Sequence, residues 1–133
     1  MRRFKQGAAL AVATVAALAG ALATSSPAMA ASSPISACGG GSYHVIDQHD
    51  LGKATVYLLY NGTTNCVVTW KDSPNSTYVN AVMRVEGSTT WGQDPGNFST
   101  YAGPVKISAK GQCIQWGGIY GSAYYTSPFE HCG

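Results

Sequence analysis

Four cysteines, Cys38, Cys66, Cys113 and Cys132, place the tightest constraint on this 133-residue chain. They stand 28, 47 and 19 residues apart. A zinc site would want a close pair such as C-x-x-C, and none occurs. An even number of well-separated cysteines in a short exported chain reads instead as two disulfides. Cys38–Cys66 with Cys113–Cys132 is the favoured pairing, because each bridge closes a short segment. The nested alternative, Cys38–Cys132 with Cys66–Cys113, stays geometrically open. Each bridge stabilises by about 2–4 kcal/mol.

Export itself is read from the first thirty residues. Arg2, Arg3 and Lys5 precede an uncharged, alanine-rich run, and SSPAMA follows with small residues at Ala28 and Ala30. That is the charged, apolar and small-residue order of a secretory signal, with cleavage expected between Ala30 and Ala31. The apolar run is shorter than the roughly 20 residues of a membrane anchor. ISAC, ending at Cys38, loosely resembles a lipoprotein box but lies well past the apolar run, so lipidation is not expected. Domain organisation is then a signal over 1–30, a flexible arm over 31–42 and one domain over 43–133. Loss of the signal removes three cations and leaves 5 basic against 6 acidic residues. Five dispersed cations make neither a nucleic-acid stripe nor a polybasic patch for anionic lipid.

The arm, ASSPISACGGGS, is small and glycine-rich. Beyond it, no segment sustains a helical period. Residues 53–60 (KATVYLLY) are rich in β-branched and aromatic side chains and apolar on both faces, which places them centrally in a sheet. Asn61-Gly62 is a turn signal, and residues 66–71 return to complete a hairpin. Residues 72–77 read as a loop. In residues 78–86, Val79, Ala81, Met83 and Val85 share one face, with Val82 the exception. Residues 87–97 form the longest turn-rich stretch, and 105–110 (VKISAK) alternate most cleanly. Strands at 113–117 and 123–127 follow. The pattern predicts an all-β fold of seven or eight strands, a small disulfide-bonded sandwich or a partly closed barrel.

Motifs that carry chemistry are scarce. The chain has no G-x-S-x-G, no H-E-x-x-H and no phosphate-binding glycine loop. No catalytic residue, metal ligand or cofactor is assigned, and enzymatic activity is not expected. HVIDQHD, residues 44–50, is the one stretch that looks chemical. As a strand it alternates, so His44 and His49 face apart and only Asp47 and His49 share a face. His131 could add a third ligand only if the fold brings it there. A polar strand running into the turn at Asp50 is the simpler account. Among the aromatics, Trp70 and Trp116 sit on or beside strands and fill the core. Trp91, in the long turn region, is the tryptophan expected outside. Trp91 with Tyr101 is the best surface-binding candidate.

ATVYLLYNGTTNCVVTW, STYAGPVKIS, CIQWGG and the terminal HCG resemble the spore-associated protein A family of actinomycetes. The resemblance covers essentially all of residues 38–133. It implies an exported protein found with aerial hyphae or spores, and it carries over no activity, ligand or catalytic residue. The expected function is that of a secreted, non-enzymatic protein at the cell or spore surface, with a polysaccharide or protein of that surface as partner. A polysaccharide-binding module using Trp91 and Tyr101 is the first alternative. A protease inhibitor presenting residues 87–103 as a loop is the second. The unreduced exported protein is expected to resist thiol alkylation; four reactive thiols would overturn the two-bridge reading.

Overall fold

A computed structural model describes residues 31–133; the signal expected over residues 1–30, with Ala30 of its cleavage site, lies outside the described residues. Ser33–Gly133 form one unit of eight strands and one short helix. The strands are β1 (His44–Asp50), β2 (Ala54–Tyr60), β3 (Asn65–Lys71), β4 (Val79–Val85), β5 (Gly92–Gln93), β6 (Tyr101–Ile107), β7 (Ile114–Tyr120) and β8 (Ala123–Thr126). They build two four-stranded antiparallel sheets, ordered β1-β2-β3-β6 and β5-β4-β7-β8. The fold is therefore a sandwich, and the barrel alternative falls away.

Period-2 alternation explains the core, reset once in β6 where its pairing with β3 shifts register. Val56 and Leu58 of β2, Val67 of β3 and Ala102 and Val105 of β6 meet Val79, Ala81, Met83, Ile114 and Trp116 of the facing sheet. β2 is central, as its doubly apolar sequence requires: Leu59, on its other face, is fully buried as well. Leu59 stands opposite Cys66, and Cys66 is bonded to Cys38. The second bridge joins Cys113 to Cys132.

Two expectations need correction. The loose arm over 31–42 is instead ordered from Ser33. Pro34–Cys38 form a helix, α1, capped by reciprocal Ser33 and Ser36 hydrogen bonds and begun by Pro34. Such a capping box satisfies amides that a short helix leaves unpaired, and the Cys38 bridge holds α1 on the outside of the first sheet. The strand expected over 105–110 runs instead over Tyr101–Ile107. β6 is a sheet edge, and Pro104 lies where its pairing with β3 shifts register between Val67 and Thr69, a place that tolerates proline.

A buried hydrogen bond ties the sheets where β3 crosses β4 and β7. The Thr69 hydroxyl, buried, donates to the Asn80 carbonyl at 2.9 Å. A Cβ on Gly118 would stand 2.2 Å from Thr69 Oγ1 and 2.8 Å from Val56 Cγ2. Glycine at 118 is thus a condition of the approach. Nearby, Lys71 is only 3 % exposed. Its ammonium donates to the Asn75 and Thr77 carbonyls and the Asn75 side chain at 2.7–2.9 Å, and to the Phe98 carbonyl. The loop over 72–77 and the lead into β6 are organised around this one cation. Burial holds the Lys71 pKa below the ordinary lysine value.

Gly118→Ala is expected to lower stability by about 1–3 kcal/mol through overpacking, measured as a reduced urea midpoint with the slope unchanged. Lys71→Met leaves buried carbonyls without a donor and is expected to cost about 3 kcal/mol near neutral pH. Because the folded pKa is depressed, the unfolded chain holds the Lys71 proton over the alkaline window below the ordinary lysine pKa. The wild type's advantage over Lys71→Met therefore grows as pH rises toward the ordinary lysine pKa. A constant or shrinking difference contradicts this.

Candidate functional site

The outward positions of the second sheet form a shallow trough. Register places Asn80 beside Ile119, Val82 beside Gly117 and Arg84 beside Gln115. β8 adds Tyr124 opposite Ile119 and Thr126 opposite Gly117, and β5 adds Gln93 opposite Val82. Gly117 gives β7 no side chain at this level. A cavity of about 250 Å³ results, with Val82, Ile119 and the Gly118 backbone below and Trp91, Gln93 and Tyr124 at its margins.

Its aromatic margins differ in character. Tyr124 is 74 % exposed, the most exposed large hydrophobic side chain among the described residues. Trp91 is half-buried and braced: the Arg84 guanidinium lies 4.7 Å from its ring and 5.3 Å from that of Phe129. Arg84 is fixed in turn by Nε donating to Gln115 Oε1 at 2.8 Å. Cation–π contact of this kind holds an aromatic plane in one orientation. The polar groups are fixed too. Asn80 Nδ2 donates to Gln93 Oε1 at 3.1 Å, and Asn80 Oδ1 accepts from the Asp94 amide at 3.0 Å. The surface thus combines ring faces with amide groups held in place, the mix of apolar walls and a few placed polar groups found in ligand sites.

Trp91 belongs to this surface and Tyr101 does not, which corrects the expected pair. Tyr101 is 2 % exposed. It stands opposite Trp70 across the β3–β6 ladder, and the two rings stack at 4.7 Å, 1° from parallel. Directly opposed residues on adjacent strands bring their side chains together, so Trp70 covers Tyr101 in the first sheet while Trp91 lies on the second. Trp116 is buried in the core. Tyr124 was legible in principle: Tyr124 and Tyr125 are neighbours on a strand, so one of them must face out. Residues 87–103 do not project as a loop. β5 pairs with β4, Val79 bridges Gly96, and Asp94 Oδ2 accepts from the Gly103 amide at 2.8 Å.

HVIDQHD is β1 in full, but the parity expected of it fails. The register shifts between Val45 and Asp47, leaving Ile46 unopposed, so His44 stands opposite Tyr60 and His49 opposite Val56. Tyr60 and Val56 share a face, and so do the two histidines; a bulge resets alternation by one residue. They still do not converge. His44 Nδ1 lies 3.2 Å from the Ser42 carbonyl, whereas His49 stacks on Tyr125 at 3.7 Å, 7° from parallel. The residue that meets β1 from afar is His131. Its Nε2 lies 3.1 Å from Asp47 Oδ2 and 3.7 Å from Glu130 Oε2. Trp116 Nε1 donates to the same Glu130 oxygen at 2.9 Å. Burial, then the charges of Glu130 and Asp47, push the Tyr125 hydroxyl above its ordinary pKa.

No family model and no solved structure matches this chain. Spore-associated protein A of Streptomyces coelicolor is 39 % identical over 100 residues, which cover 72 % of this chain. The matched segment spans 64 % of that relative's length. On this identity, together with the motifs of residues 54–70, 99–108 and 113–118 now placed on β2, β3, β6 and β7, the chain belongs to the spore-associated protein A family.

Proposed function

We propose that this chain is a secreted, non-enzymatic protein of the cell or spore surface that binds polysaccharide through the trough between Trp91 and Tyr124. The single observation that carries the binding reading is an exposed tyrosine facing a guanidinium-braced tryptophan across fixed amides. Pyranose rings present C–H faces to aromatic planes and hydroxyls to amide groups, so the two halves of the trough answer the two halves of a sugar. Two disulfides favour an oxidising compartment, and the relative's name associates it with spores. Nothing favours the inhibitor alternative, since residues 92–96 are paired along β4 and residues 101–103 belong to β6.

The test is a titration with soluble cell-wall polysaccharide fragments, followed by intrinsic tryptophan fluorescence. Trp91→Ala and Tyr124→Ala are each expected to weaken binding by about tenfold, roughly 1.4 kcal/mol. Tyr124→Ala is expected to leave the unfolding midpoint unchanged. Binding unaltered in both variants, or no binding by the wild type, overturns the proposal.

A further inference from the structure

The polysaccharide reading leaves one cluster unused, at the other face of the second sheet. Asp47, Glu130 and His131 each offer one ligand atom, and these atoms all lie within 4.8 Å of one another. We propose that they form a divalent metal site of the zinc class that fastens β1 to the C-terminal segment.

The spacing suits an ion. Ligands about 2.1 Å from a tetrahedral zinc stand roughly 3.4 Å apart. The His131–Asp47 and His131–Glu130 distances, 3.1 and 3.7 Å, lie on either side of that value. One imidazole with two carboxylates favours zinc over magnesium or calcium, which prefer all-oxygen ligand sets. Thiolates do not compete, because all four cysteines are in disulfides.

The ligands are also held in advance. Asp47 follows the β1 bulge. The Glu130 backbone exchanges two hydrogen bonds with Ile114, both 2.9 Å, and Cys132 is bonded to Cys113. His131, between these anchors, takes the left-handed conformation at φ 52°, alone among the described non-glycine residues. Trp116 Nε1 donates to Glu130 from the core, as outer-shell donors do for metal-bound carboxylates. Access is open: the three side chains are 31–39 % exposed, and His131 lines a cavity with Ile46, Tyr60 and Ala109. Three protein ligands leave a position for water.

The consequence is mechanical. β1 is an edge strand, bonded along its length only to β2. Asp47 comes from the first sheet, whereas Glu130 bridges to β7 of the second. An ion shared by both would close the sandwich along this edge.

Zinc chloride titrated into metal-free protein tests the site, with imidazole proton and nitrogen resonances followed by NMR. His131 is expected to shift with one equivalent of zinc, and the thermal midpoint to rise. Asp47→Asn and Glu130→Gln, near-isosteric changes at part-exposed positions, should each weaken zinc binding by about tenfold or more. His44→Gln should not. His131 resonances that ignore zinc, or Asp47→Asn binding zinc as tightly as wild type, overturn the proposal and leave an ion pair only.

Discussion

The Thr69–Asn80 hydrogen bond is the point on which the rest of the molecule turns. It joins the two sheets through a buried hydroxyl and a strand carbonyl, and it exists only because Gly118 yields the space. A buried hydroxyl without a partner is costly, so this bond also specifies register: a one-residue slip of β4 would present a different residue to Thr69. Asn80 then works in both directions. Its carbonyl faces the other sheet, while its side chain holds Gln93 and the Asp94 amide. Asp94 continues the path to Gly103 of β6. The margin of the outer trough is thereby tied to the contact that closes the core.

Of the candidate site, only Trp91 was legible from residue types, and the failures are instructive. Trp91 stood out because it lies among turn residues rather than in an alternating strand. Tyr101 was misplaced because alternation tells which face a residue takes within its strand, not what its partner strand puts opposite. The opposed residue is Trp70, and a stacked ring covers Tyr101 as fully as a core does. Tyr124 was missed although its neighbour Tyr125 takes the inward face, packing edge-on to Trp116. HVIDQHD failed for a different reason. Its alternation is interrupted by a bulge at Ile46, and no glycine or proline in that stretch announces one.

Long-range polar organisation was less legible still. Lys71 ends a strand whose sequence reads as an ordinary return of a hairpin, yet it is the hub of residues 75–77 and 98. Nothing in its neighbours indicates burial, because three of the four acceptors are backbone carbonyls, which every residue carries. The meeting of His131 with Asp47, 84 residues away in sequence, is equally silent. It depends on the C-terminal segment being pinned by Cys113–Cys132 and by the Glu130–Ile114 bridge.

By itself, then, the sequence determined local character: strands from period-2 alternation, a hairpin over residues 53–71 from Asn61-Gly62, an all-β class, and four cysteines suited to two bridges. Those properties are set by neighbours within a few residues and by side-chain chemistry. Only the tertiary structure decided which strands share a sheet, that the fold is a sandwich rather than a barrel, that Trp91 partners Tyr124 rather than Tyr101, and that Asp47 meets His131. Each of these depends on which residues are opposed across strands and sheets. Registry of that kind is settled by the summed fit of a buried interface, here by Thr69 against Gly118 and by the core around Val56 and Trp116, and no short stretch of chain encodes it alone.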